Sequence, residues 1–257
     1  LDLEDAVAPG EKAAARAKLE GILAARPPRR EMIVRINALS GEWGADDLAA
    51  AVRARPDAIL LPKVDTARDI LEADDALDEA AGAEGIGLWA MIETPRALLN
   101  IGAIAELGRD PASRLACFVA GTNDLAKETG VAATADRRFF VPWLMQMVLA
   151  ARAGGLDLLD GVYNDFRDAE GFARECAEAA AMGFDGKTLI HPVQIAAANA
   201  AFSPSVPALA EARAIRDAFA QPQNAGKGVI ALNGRMVERL HLAQAEKLLA
   251  KAAGIGA

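Results

Sequence analysis

The sequence predicts an α/β fold, a (β/α)8 TIM barrel with a small C-terminal hairpin and helix, on three observations. Short apolar, β-branched runs recur at intervals of about 30 residues, the length of one βα unit. Segments rich in Ala, Arg and Glu separate them with helical spacing, as in "EKAAARAKLEGILAA" and "GFARECAEAAAMG". The runs are apolar nearly throughout, as parallel strands covered on both faces are. Strand–helix alternation of this kind implies right-handed crossovers and a parallel sheet.

The elements follow in chain order. "LDLEDAV" opens with Leu1 and Leu3 alternating with Asp2 and closes on Glu4–Asp5, the second half of a strand entering a polar loop. Six further strands are read in "MIVRIN" (32–37), "AILLPKV" (58–64), "GLWAMIET" (87–94), "ACFVAGTNDL" (116–125), "LDGVYNDF" (159–166) and "KTLIHP" (187–192). A (β/α)8 barrel needs one more. The start in mid-strand at Leu1 leads to the expectation that a first βα unit precedes it. A doubly wound open sheet is the competing arrangement, but no G-x-G-x-x-G follows any strand. The barrel is assigned to residues 1–220, ending with the helix "PALAEARAIRDAFA" (207–220). Residues 221–257 form an appendage, a lid or an oligomer contact. Within it "QPQNAGKG" is a loop, "VIALNGRMV" a hairpin turning on Asn233–Gly234, and "ERLHLAQAEKLLAKAAG" an amphipathic helix.

Composition narrows the function classes. The chain has 257 residues, 53% of them apolar, enough to bury a core. A net charge of −8 argues against a nucleic-acid surface, and no apolar run approaches a membrane span. Cys117 and Cys176 lie in apolar surroundings and are read as buried small hydrophobes in a cytoplasmic protein.

Barrel enzymes place their reactive groups at the C-terminal ends of strands. Here those ends carry Glu4 and Asp5, Arg35 and Asn37, Lys63, Glu93 and Thr94, Asn123 and Asp124, Asp165, and His191. Glu93 and Asp124 end consecutive strands. They are either a solvated or lysine-paired couple, or an all-oxygen site with open water positions that suits Mg2+. The two histidines, His191 and His241, sit in no ligand cluster, which disfavours zinc. Arg35 and Asn37 stand two apart on one strand and share a face. Arg35 suits bidentate recognition of a carboxylate, with Glu4 or Asp5 as the competing ion-pair partner. Lys63 reads as a positive charge neutralising the carboxylates, a Schiff-base role being the alternative.

The motifs "DLEDAV", "VRIN", "LLPKV", "MIETP", "AGTNDL", "DGVYNDF", "GFDGKTLIHPVQI" and "GRMVE" resemble, in order and across the whole chain, the citrate lyase beta subunit and malyl-CoA lyase family. The resemblance implies a Mg2+-dependent carbon–carbon lyase. Its substrate would be a 3-hydroxyacyl-CoA dicarboxylate of the citryl-, malyl- or citramalyl-CoA type, released as a 2-keto acid and an acyl-CoA. Glu93 and Asp124 would hold the metal, and Arg35 the carboxylate of the keto-acid fragment. Asn37, Lys63, Gly121, Thr122 and Asn123 would complete the substrate pocket. Asp5 and Glu238 join Arg35 as catalytic candidates, while His191 takes a structural role. The tail motif departs from the family pattern, with Glu238 where an Asp is usual, a carboxylate carried into a neighbouring subunit's site. A homotrimer is therefore expected. The alternatives are an acyl-CoA thioesterase of the same family, a CoA-independent hydroxy-keto-acid aldolase, and a weakly catalytic subunit of a larger complex.

Overall fold

A computed structural model describes residues 1–27 and 30–255. The last two residues of the expected appendage lie outside that range. The elements are α1 (Lys12–Ala24), β1 (Ile33–Arg35), α2 (Gly44–Ala54), β2 (Ala58–Leu61), α3 (Ala67–Glu79), β3 (Gly87–Ile92) and α4 (Pro95–Glu106). There follow β4 (Leu115–Ala120), α5 (Thr122–Thr129), α6 (Val141–Gly154), β5 (Asp157–Asp160), α7 (Ala169–Met182), β6 (Gly186–Lys187) and α8 (Ile195–Phe202). The chain closes with α9 (Val206–Phe219), β7 (Val229–Leu232), β8 (Arg235–Glu238) and α10 (Arg239–Ile255). It divides into two compact units, Leu1–Ala198 and Asn199–Ala257, so α9 groups with the tail.

In the first unit the six strands β1 to β6 pair in sequence order, all parallel. Leu1–Leu3 extends this sheet. Arg35 N donates to Leu1 O and Leu3 N to Arg35 O, each at 2.8 Å, and Asp2 bridges Arg35 in parallel register. The sheet curls into part of a TIM barrel. Its first segment, Leu1–Asp2, and the loop Thr188–Ile190 that follows β6 line one cavity of about 430 Å³ together with Leu60 and Val119. Alternate strand residues turn outward under the helices: Ile59, Leu88, Phe118 and Leu158 are fully buried. Each such side chain contributes roughly 1.5–3 kcal/mol relative to exposure.

Local chemistry starts the helices where the strands stop. Thr94 accepts from Ala97 N at 3.0 Å with Pro95 at the first helical position of α4, and Asp168 caps α7 through Gly171 N at 2.9 Å. Thr66 and Asp69 form a capping box at α3. Three strand readings are corrected here. "GTNDL" is not strand: β4 stops at Ala120, Gly121 turns, and Thr122–Asp124 form the first turn of α5. Likewise β5 ends at Asp160 and β6 at Lys187, leaving "GVYNDF" and "TLIHP" as loops built from Gly, Asn, Asp and Pro.

The second unit holds the antiparallel pair β7–β8. Asn233 and Gly234 both take positive φ, 51° and 76°, which gives the two-residue turn read from the sequence its hand. Phe219, Ile230 and Val237 form its core, with Ile215, Leu232 and Leu242 packed around them. Among the described residues no helix is long and apolar enough to cross a membrane.

Candidate active site

Strand ends and helix starts bring Asp2, Glu4, Arg35, Lys63, Glu93 and Asp124 together at the C-terminal rim of the first unit. Arg35 is ion-paired to three carboxylates. Asp2 takes its fork in bidentate fashion, accepting from Nε at 2.8 Å and from Nη2 at 2.5 Å. Glu4 Oε2 lies 2.7 Å from the remaining nitrogen, Nη1, and Asp5 lies 3.8 Å from it. The Glu4 contact is off the N–H line, so Oε2 is buried yet accepts no hydrogen bond.

That difference separates the two acids. Burial opposes ionisation of Asp2, but the bonds from Arg35 and the Glu4 backbone outweigh it and hold the carboxyl below its usual range. For Glu4 burial dominates. The Arg35 charge counters only in part, Asp5 and Glu93 add to the rise, and the carboxyl is pushed up to about 7.

The second cluster is built on Lys63, a non-glycine residue with φ of 52°. That conformation lets its backbone N–H donate to Glu93 Oε1 at 2.7 Å while Nζ bonds Asp124 Oδ1 at 2.6 Å. Nζ also lies 3.6 Å from Glu93 Oε1. Glu93 is 1% exposed, and burial raises its carboxyl despite the two contacts from Lys63. Burial disfavours the Lys63 ammonium, yet the bond to Asp124 and the Glu93 charge raise its pKa overall. Gly121 is required beside Glu93, since an added Cβ would fall 2.2 Å from Glu93 Cβ.

The donor set suits a hard divalent cation. Glu93 and Asp124 turn two carboxylates toward one positively charged position, and Glu4 Oε2, ion-paired to Arg35, accepts no hydrogen bond. Among the described residues no three His, Cys, Asp or Glu side chains form a complete cage. A Mg2+ ion, which retains several waters, tolerates that; a zinc ion would lack its nitrogen and sulfur ligands.

Other expected residues fall elsewhere. Asn37 does not stand beside Arg35 as a second open group. It donates to Leu3 O at 2.8 Å and Asp47 Oδ2 at 2.5 Å and accepts from Lys12 Nζ at 2.9 Å, so it ties the strand end to α1 and α2. Asn123 exchanges amide hydrogen bonds with Asn164 at 3.2 and 2.8 Å. It lines, with Thr122 and Tyr163, a separate cavity of about 330 Å³. Asp5 is largely exposed. His191 accepts from Val193 N at 3.1 Å and stacks on Phe166 at 4.6 Å. Glu238, in the second unit, directly precedes α10, and its backbone N–H donates to His241 Nδ1 at 3.0 Å.

Three features escaped the sequence reading. Asp2 reads from the sequence only as a strand residue, although its strand register puts it opposite Arg35. Lys12 is buried and spends its ammonium on Leu3 O, Glu4 O and Asn37 Oδ1 at 2.7–2.9 Å, fixing the backbone that presents Glu4. Lys187 lies inside with Asp160, Glu175 and Arg137 in a closed ionic cluster. Its place in "GFDGKTLIHP", an ionisable residue in a buried strand, was the available signal.

Comparison with known proteins places the chain. The family profile described as HpcH/HpaI aldolase/citrate lyase matches residues 1–192. A (3S)-malyl-CoA thioesterase of Cereibacter sphaeroides is 48% identical over 258 residues, covering 100% of this chain and 87% of the relative. The citrate lyase subunit beta of Escherichia coli strain K12 is 34% identical, covering 98% and 84%. Among solved structures, CitE from Mycobacterium tuberculosis, in complex with magnesium, acetoacetate and coenzyme A, is 32% identical and superposes with a TM-score of 0.74, covering 98% of this chain and 88% of that one.

Proposed function

Because the chain belongs to the HpcH/HpaI aldolase/citrate lyase family, we propose that it cleaves the carbon–carbon bond of a 3-hydroxyacyl-CoA dicarboxylate, releasing a 2-keto acid and an acyl-CoA. The observation that carries this reading is the convergence of Glu93 and Asp124 on one cationic position, next to an arginine and a buried carboxyl. Glu93 and Asp124 would hold Mg2+. When bound, that ion polarises the hydroxyl oxygen that becomes the ketone.

The chain's own groups supply the rest. Arg35 receives the carboxylate of the keto-acid fragment. With Nε and Nη2 held by Asp2, the guanidinium is fixed in orientation, and the newcomer would take Nη1 in place of its contacts with Glu4 Oε2 at 2.7 Å and Met91 Sδ at 3.7 Å. Cleavage frees the hydroxyl proton and leaves an acyl-CoA enolate that must be protonated at carbon. Glu4, with a carboxyl pushed up to about 7, suits proton exchange near neutrality. Thr122 and Asn123 border the cavity of about 330 Å³ and are assigned to the acyl-CoA portion.

A second reading has its own support. The 48% identity to a protein named as a (3S)-malyl-CoA thioesterase favours hydrolysis of the thioester, giving the hydroxy acid and free CoA. Both readings share the substrate class and differ in the bond broken. The test is to supply (3S)-malyl-CoA and its methylated and citryl analogues with Mg2+, assaying keto acid and free thiol separately. Keto acid with intact acyl-CoA, abolished by Glu93→Gln, is the expected result. Thiol with hydroxy acid selects hydrolysis, and neither product from any ester overturns the substrate class.

A further inference from the structure

We propose that Lys63 is a displaceable internal counter-ion: its ammonium holds Glu93 and Asp124 together until a divalent cation arrives, then moves to Glu4 Oε2, which is ion-paired to Arg35 but accepts no hydrogen bond. The inference rests on the metal reading of Glu93 and Asp124 given above, and deepens it.

Three observations carry it. Lys63 Nζ occupies the point on which both carboxylates converge, 2.6 Å from Asp124 Oδ1 and 3.6 Å from Glu93 Oε1. A divalent ion bound by the same oxygens cannot share that point with an ammonium, because like charges at such separations repel strongly away from bulk water. The lysine must therefore leave.

It is built to leave. Lys63 is anchored by its backbone, whose N–H donates to Glu93 Oε1 at 2.7 Å with φ at 52°. The four-carbon stem can swing without moving the strand end.

A destination is waiting. Glu4 Oε2 is buried without a hydrogen bond, a costly state for a carboxylate oxygen. Arg35 Nη1 lies near it but off line, and the other two guanidinium nitrogens are held by Asp2. The charges of Lys63 and Glu93 both act on Glu4, so all three groups share one electrostatic neighbourhood. With the ion in place, its two positive charges and that of Lys63 balance Glu93, Asp124 and Glu4.

The experiment is a titration of the substrate-free full chain with Mn2+ and Mg2+ by calorimetry, for the parent, Lys63→Met, Glu4→Gln, the double variant and Glu93→Gln. Thermal unfolding in chelator checks that each is folded, and Lys63→Gln replaces Lys63→Met if the latter is not. Lys63→Met is expected to tighten metal binding by about tenfold or more, since a competing charge is removed. Glu4→Gln is expected to weaken it by at least about threefold when Lys63 is present, and not at all in the Lys63→Met background. Unchanged or weaker binding by Lys63→Met overturns the counter-ion role. Equal weakening by Glu4→Gln in both backgrounds makes Glu4 a ligand and overturns the displacement. If Glu93→Gln binds metal like the parent, the metal reading itself falls, an outcome distinct from the other two.

Discussion

At the scale of single residues, the site separates charge from geometry. Arg35 does two tasks with one guanidinium, holding Asp2 with two nitrogens and facing Glu4 with the third. Arg35→Lys keeps the charge and loses the fork, so binding of a keto-acid product is expected to weaken by roughly 1.5–3 kcal/mol. An unchanged inhibition constant for that product would remove Arg35 from the carboxylate site. Glu4 makes the opposite case, a carboxyl whose proton burial holds more tightly. Its pKa is about 7 in the fold against an ordinary 4.5. The folded state holds the proton more tightly, so the stability linked to it is fully present below pH 4.5 and lost as pH rises through 7. In metal-free protein Glu4→Gln should therefore melt higher than the parent at pH 8, with the difference closing by about pH 5. A thermal scan showing the same difference at both values would contradict the assignment.

At the scale of elements, periodicity and caps were legible and the ends of strands were not. The interval between apolar runs located all six strands of the curled sheet, and the Asn233–Gly234 pair gave the hairpin its turn. Boundaries failed where the polar chemistry begins, because a strand entering an active-site loop and a strand ending in a turn share the same Gly, Asn and Asp residues. Asp124 was read as a strand end and is instead in the first turn of α5. Its reach to Lys63 comes from that turn, which Gly121 alone permits. Partnerships across elements were also hidden. Nothing local in "LDL" or "VRIN" announces the pairing of Asp2 with Arg35, because it is set by strand register.

The cluster under β5, β6 and α7 shows what such partnerships weigh. Lys187 donates to Asp160 at 2.7 Å, Glu175 at 2.6 Å and Gly161 O at 2.5 Å, and Lys187 and Asp160 are fully buried. Removing one member of a buried ion pair costs about 3–5 kcal/mol, as the remaining charge keeps its desolvation penalty. Lys187→Met should lower the chemical unfolding free energy by that amount. A loss under about 1 kcal/mol would mean that Arg137, which also holds Asp160 at 2.8 Å, suffices alone.

At the scale of the whole molecule, the open question is who uses the tail. The second unit exposes Met236 and Leu240 on either side of Glu238, and no hydrogen bond or ion pair engages the Glu238 carboxylate among the described residues. Apolar side chains flanking an unpaired acid suit a surface that another subunit covers, and we propose a homotrimer in which each Glu238 serves a neighbour's site. The competing account makes Glu238 a helix-start acid, favoured by the dipole of α10. Subunit mixing separates the two. Glu93→Gln disables the barrel of its own chain and Glu238→Gln disables only the tail, so each variant alone should be inactive. Combined after mild dissociation, they should recover part of the parent turnover, because some sites then join an intact barrel to an intact tail. Light scattering should give three chains per particle throughout. Full activity of Glu238→Gln alone would leave the helix-start account standing. Loss of activity without recovery on mixing would place Glu238 in its own chain's site.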